Sequence, residues 1–104
     1  MSTQGRRRVV ISGMGAVTPC GLTMDDSWAN IRAGRSGVSR IEGFEMPEGT
    51  VNIAGQVKGF DPTEFMDRRT VRKTDRFAHL SVAAATQAVA DADLDVRADA
   101  ARIG

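Results

Sequence analysis

Residues 75–94 read DRFAHLSVAAATQAVADADL. From Arg68 through Ala92 the chain holds no glycine or proline, and from Phe77 onward it is rich in alanine, the strongest helix former, so this run predicts the most secure helix of the chain. Phe77, Leu80, Ala84 and Ala88 recur at intervals of three and four, with Val82, Ala85 and Val89 beside them, giving a wide apolar face of mostly small residues. Such a face suits close packing on a sheet. Upstream, RRRVVISGMGAVTP (residues 6–19) is a β-branched apolar run punctuated by Gly13, Gly15 and Pro19, the pattern of a strand buried on both faces. Downstream, ARIG (residues 101–104) reads as the opening of a second strand. Strand, long helix and incipient strand are the order of a βαβ unit with a right-handed crossover and a parallel sheet to cover. The expected class is α/β, with most of the sheet lying beyond residue 104.

Between the first strand and the long helix, Thr23 precedes MDDSWANIRAG with Asp26 three residues on, a capping-box-like arrangement that predicts a helix over Met24–Ala33 ended by Gly34. Trp28 and Ile31 are expected to share its buried face. Residues 35–50 are rich in glycine, serine and proline without helical period and read as loop, VNIAGQV as a short strand, and FDPTEFM as one helical turn entered through Asp61 and Pro62.

A chain of 104 residues with 41% hydrophobic and 26% charged residues fits one soluble domain or part of one. It contains no apolar run approaching the ~20 residues of a membrane span, and its basic start lacks the hydrophobic region of a secretory signal. A cytoplasmic address and no membrane insertion are the expectations. The single cysteine, Cys20, excludes an intrachain disulfide and leaves any cysteine-based metal site without its repeated ligands.

The GMG after the strand is the start of a dinucleotide fingerprint, but Thr18 stands where the third glycine belongs, so a tight strand exit is the better reading. Cys20 lies in TPCGL, a turn with no evident base to activate a thiol. His79 sits between apolar neighbours on the long helix and has no partner nearby in sequence. Asp25 and Asp26 suit the positive end of a helix dipole.

Charge is concentrated at DRRTVRKTDRF, residues 67–77, which carries five basic side chains in a chain of net charge +1. On a helix, Arg68 or Arg69, then Arg72 or Lys73, then Arg76 recur every three or four residues, placing several cations on one side. That stripe suits an acidic partner, or it is a solvated face partly neutralised by Asp67 and Asp75. A nucleic-acid-binding basic helix is a weaker alternative, and since neither aromatic interleaving nor a nucleic-acid motif accompanies the stripe, no nucleic-acid partner is expected.

Taken in order, RRVVISGMGAVTPCG, SWANIRAGRSGV, AGQVKGFDP and RRTVRKTDRFAHLSVAAATQAVADADL closely resemble the N-terminal portion of β-ketoacyl-[acyl-carrier-protein] synthases, most of all the type II elongating enzyme. Polyketide ketosynthases and their non-catalytic chain-length partners share these blocks. The resemblance implies an acyltransferase of fatty-acid or polyketide synthesis with a thiolase-like fold, two similar α/β halves stacked in five layers, as a homodimer. Residues 8–16 would be its first core strand, 20–66 an insertion, 67–92 a basic docking segment and crossover helix, and 101–104 the start of the second core strand. The family's acylated cysteine and two catalytic histidines come later in sequence, so Cys20 and His79 do not take their places and this segment alone is expected to be inactive. No cofactor is implied, since substrates ride on the phosphopantetheine of acyl carrier protein. In relatives a basic cluster just before the long helix engages that acidic carrier. Arg69, Arg72 and Lys73 align with it, flanked by Arg68 and Arg76, and the two aligned arginines have the fork geometry for oriented contacts.

Overall fold

A computed structural model describes residues 5–103. Helix α1 spans Met24–Arg32. Thr23 holds extended backbone and its hydroxyl accepts the Asp26 N–H at 3.1 Å, which captures one of the orphan donors of the first turn. At the other end Gly34 takes φ +72°, the Gly34 N–H reaches the Ile31 carbonyl at 3.0 Å and the Arg35 N–H reaches Asn30 at 2.9 Å, a Schellman closure. The buried face differs from the one expected. Trp28 and Ile31 are 55% and 54% exposed, and Ser27 is the buried residue. The reason is polar: α1 rests on the turn Thr18–Gly21, where the Ser27 hydroxyl donates to the Gly21 carbonyl at 3.1 Å and the Asn30 amide donates to the Cys20 carbonyl.

Strands β1 (Val38–Arg40) and β2 (Ile53–Gly55) pair antiparallel, Val38 opposite Gly55 and Arg40 opposite Ile53. β2 was expected, but β1 falls where the composition reads as loop. Three residues are too few to display a period of two, and β1 exists because β2 supplies its ladder. Gln56 prolongs the pairing by accepting the Glu42 N–H at 2.8 Å and donating to the Glu42 carbonyl at 3.1 Å. A 3-10 turn at Pro62–Glu64 follows, entered through Asp61, whose carboxylate accepts from the Thr63 N–H and hydroxyl at 2.9 and 2.6 Å.

The glycine-free run is two helices, α2 (Arg68–Lys73) and α3 (Arg76–Ala92). Thr74 takes extended backbone at φ −124°, ψ 156°, which resets the helical phase between them. α3 ends on Asp93 in the left-handed conformation, φ 53°, one of the few non-glycine residue types that tolerates it.

Residues 8–16 form no hydrogen-bonded ladder with another described segment, so the expected first core strand is unpaired. Its course along α3 still has the rise of a strand. The Met14 N–H donates to Asp91 at 3.0 Å and the Ala16 N–H to Gln87 at 3.2 Å, so two chain residues match four helix residues in the opposite direction. Two strand residues cover about 6.6 Å and four helical residues about 6 Å, so the steps agree. Gly13 and Gly15 face the helix on this path: a Cβ on Gly13 would stand 2.5 Å from the Ala88 carbonyl oxygen, and one on Gly15 would collide with the Ala84 carbonyl. The GMG glycines therefore serve close packing on Ala84, Ala88 and Ala92.

Among the described residues the one sheet is the antiparallel β1–β2 pair, so the parallel sheet under the βαβ expectation is not assembled. A ladder needs a neighbouring strand, whereas the described hydrogen bonds of Met14 and Ala16 go to side chains of α3. Nor do residues 101–103 open a strand: a second 3-10 turn occupies Ala100–Arg102, extended backbone begins only at Ile103, and Gly104 lies outside the described residues. No described helix is long and apolar enough to cross a membrane.

Ala83 is the sole buried hydrophobic side chain among the described residues, while Val9 and Ile11 are 94% and 83% exposed. The accessible surface of 8711 Å² compares with about 5,700 Å² for a compact monomer of this mass, and the 18.2 Å radius of gyration with about 13 Å. So little burial cannot offset the conformational entropy of ordering the chain. The isolated 104 residues are predicted to show poorly dispersed amide resonances and no cooperative thermal transition; sharp, dispersed resonances contradict this. In a full-length chain containing these residues, Gly15→Ala is predicted to cost roughly 1–3 kcal/mol or more, as overpacking against backbone does, measurable as a lowered denaturation midpoint.

Candidate functional site

Four of the five basic residues of the 67–77 stretch are carried by a helix of only six residues, and that helix is held by its ends. Asp67, in extended backbone at φ −71°, ψ 161°, caps α2 by accepting the Thr70 N–H at 2.7 Å. Hydrogen bonding from Thr70, its side chain first and its backbone N–H second, holds the Asp67 carboxyl below the usual aspartate range. Asp61 is lowered likewise, chiefly by Thr63 and to a smaller degree by the charge of Arg68. At the C-terminal end Arg72 and Lys73 occupy the last turn, where cations meet the negative end of the helix dipole. There the Thr74 hydroxyl donates to the Thr70 carbonyl at 2.7 Å, and His79 Nε2 lies 3.1 Å from both the Val71 carbonyl and the Thr74 hydroxyl.

Arg68, Arg69, Arg72 and Lys73 are all exposed, and among the described residues none of the four makes an ion pair. Arg76 does not join them in one helical stripe. It begins α3, beyond the break at Thr74, where its guanidinium sits 5.4 Å from the centre of the Phe60 ring and donates to the Val57 carbonyl at 3.0 Å. Phe60 in turn stacks on Phe65 at 5.9 Å. The reset of helical phase separates Arg76 from the other four, and an aromatic face with a carbonyl engages it.

Cys20 is half-buried, its N–H donating to the Thr18 hydroxyl at 3.1 Å and its carbonyl engaged by Asn30, so the geometry makes it part of a turn. His79, 7% exposed, is joined to the end of α2. No group of three or more metal-ligating side chains occurs among the described residues. The sequence reading missed the ties made by His79, Gln87 and Asp91. The i, i+4 spacing of Gln87 and Asp91 puts two polar groups on one face of an alanine-rich helix, and that was their one available signal.

The profile of the β-ketoacyl synthase N-terminal domain matches residues 6–104. The chain belongs to that family. Similar proteins include the 3-oxoacyl-[acyl-carrier-protein] synthase 2 of Synechocystis sp., 40% identical over 94 residues that cover 90% of this chain and 23% of that protein. The synthase of the same name from Vibrio cholerae is 43% identical over 100 residues, 95% of this chain and 24% of its own. Among solved structures, the ishigamide ketosynthase/chain length factor superposes with a TM-score of 0.79 at 34% identity, covering 89% of this chain and 23% of that one. The chain thus spans about a quarter of the length of the curated relatives it matches. Its helices and small sheet are an α/β portion of the thiolase-like ketosynthase fold.

In this ketoacyl synthase segment the depressed carboxyl of Asp67 has a testable consequence. A group whose pKa is lowered by folding contributes stability above its unfolded pKa and loses it as pH falls through the folded value. In a full-length protein containing these residues, Asp67→Ala is predicted to speed hydrogen exchange at the Thr70 amide at neutral pH, and variant and parent should converge as acid protonates Asp67; equal exchange at neutral pH would show that the cap contributes nothing.

Proposed function

We propose that these residues are the N-terminal part of a cytoplasmic, homodimeric β-ketoacyl-[acyl-carrier-protein] synthase, and that α2 is where the acidic carrier protein docks. The parent reaction is a decarboxylative Claisen condensation. An acyl group passes from a carrier thioester to a cysteine thiolate, expelling the carrier thiolate, which takes up a proton from solvent. Malonyl carrier then loses carbon dioxide, and the electron pair left on its α-carbon attacks the acyl thioester. The new carbon–carbon bond forms as the cysteine thiolate departs. Two histidines assist, and by the family's order these three groups lie later in sequence than residue 104.

This segment contributes scaffold and encounter. Its chemistry is electrostatic: the substrate arrives covalently attached through phosphopantetheine to a negatively charged protein, so opposite charge raises the rate of encounter and sets its orientation. The benefit fades with added salt, over a Debye length of ~8 Å at physiological strength. The observation that carries this reading is the set of exposed cations on α2, Arg68, Arg69, Arg72 and Lys73, with no ion pair among the described residues. Arg69 and Arg72 are assigned the oriented contacts, because a guanidinium can bind a carboxylate with two parallel hydrogen bonds while an ammonium acts as a point charge. Arg76 is assigned a supporting place, since Phe60 and Val57 already engage it.

In the full-length synthase, Arg72→Glu combined with Lys73→Glu is predicted to lower kcat/KM for carrier-bound malonyl substrate about 10- to 100-fold, with a much smaller effect on a small-molecule thioester. Equal losses on both substrates defeat the docking role. A residue other than cysteine at the later strand-to-helix junction makes the parent a chain-length partner instead of the condensing enzyme.

A further inference from the structure

The geometry points to His79 as the positioning residue of the docking helix: from α3 it holds the C-terminal end of α2 and so sets where Arg72 and Lys73 stand. This rests on the reading of α2 as the carrier-docking element.

A helix of six residues is far below the length that is stable by itself in water, and its last four carbonyls, those of Thr70 to Lys73, lack intrahelical donors. Side chains capture two of them. Thr74 takes the Thr70 carbonyl at 2.7 Å, and His79 takes the Val71 carbonyl at 3.1 Å. Thr74 is the residue that ends α2, so its bond is local. His79 is the fourth residue of α3, and its bond spans the break in the chain.

The partners decide the tautomer. A carbonyl oxygen only accepts, so Nε2 carries the proton toward Val71. The Thr74 hydroxyl gives its own proton to Thr70, which leaves its oxygen free to accept from the same Nε2–H at 3.1 Å. One buried ring N–H thus bears on two atoms at the end of α2, while the backbone at Thr74 and Asp75 forms the joint.

The lever is short and sensitive. At 1.5 Å per residue, a 20° swing about that joint moves Arg72, about 3 Å from it along the helix, by about 1 Å and Arg69, about 7.5 Å from it, by about 2.5 Å. Oriented contacts of the fork type require placement within about 0.5 Å, whereas long-range attraction tolerates such a swing. Loss of the His79 tie therefore affects the bound orientation of the carrier, which appears in KM for carrier substrates.

The test uses the full-length synthase with His79→Leu, which removes the donor, and His79→Gln, whose amide N–H reaches a similar distance. For His79→Leu the expected result is a 5- to 10-fold rise in KM for malonyl carrier with kcat nearly constant, and a matching fall in the ratio of carrier to small-thioester kcat/KM; His79→Gln restores most of it. Identical behaviour of the two variants, or equal losses on both substrates, overturns the assignment. A measurement on the unmutated enzyme stands independently of variant folding: imidazole nitrogen shifts should report a protonated Nε2, and an Nδ1–H tautomer overturns the assignment. If Arg72→Glu with Lys73→Glu separates the two substrates and His79→Leu does not, His79 is excluded while docking survives. If the charge reversals fail to separate them, the docking reading itself has failed.

Discussion

The contact on which the described structure depends is the approach of the backbone at Gly13 and Gly15 to α3. Side chains are absent from both glycines and reduced to methyl groups at Ala84, Ala88 and Ala92, so main chain meets main chain at distances that a single added carbon would violate. Two polar side chains make the approach specific. Asp91 and Gln87, one turn apart, accept the N–H groups of Met14 and Ala16, and Gln87 also donates to the Leu22 carbonyl at 2.7 Å. Backbone donors that would otherwise be left unmet near the helix are satisfied by α3 itself. The register of the segment on the helix follows, and with it the placement of the Thr18–Gly21 turn and of α1, which docks on that turn through hydroxyl and amide groups.

The interior of α3 is committed to the N-terminal segment, while its first turn reaches back through His79 to α2 and its first residue engages Phe60 through a guanidinium. The basic helix is therefore a short appendage fastened at each end by a side chain, Asp67 at the start and His79 at the finish. Such an element can present several like charges, because the caps and the helix dipole stabilise it without neutralising partners for the cations. Exposed charge on a fastened support is what an electrostatic docking surface requires: attraction needs accessibility, and orientation needs rigidity.

Much of this was legible in order of local strength. The Thr23 cap and Gly34 terminus of α1, the Asp61–Pro62 turn and the alanine-rich body of α3 are each determined within one turn of chain, and each lies where its residue types place it. The family was legible too, because four blocks in a fixed order are jointly specific even though each is modest alone. The division of Arg68–Ala92 into two helices was not legible from its lack of glycine and proline, because the break is made by Thr74 in extended backbone and secured by a histidine five residues away. The exposure of Trp28 and Ile31 was hidden for a similar reason, since apolar spacing reports what a helix could bury and α1 is instead held by polar bonds.

From sequence alone came the class, the family, the helix ends and the concentration of positive charge between residues 67 and 77, all properties of local propensity or of residue order. Tertiary structure decided that GMG packs against alanines, that Arg76 parts company with its basic neighbours, and that His79 fastens a helix. Those outcomes depend on which groups far apart in the chain come within a hydrogen bond or a van der Waals radius of each other. Local sequence patterns carry no distance of that kind.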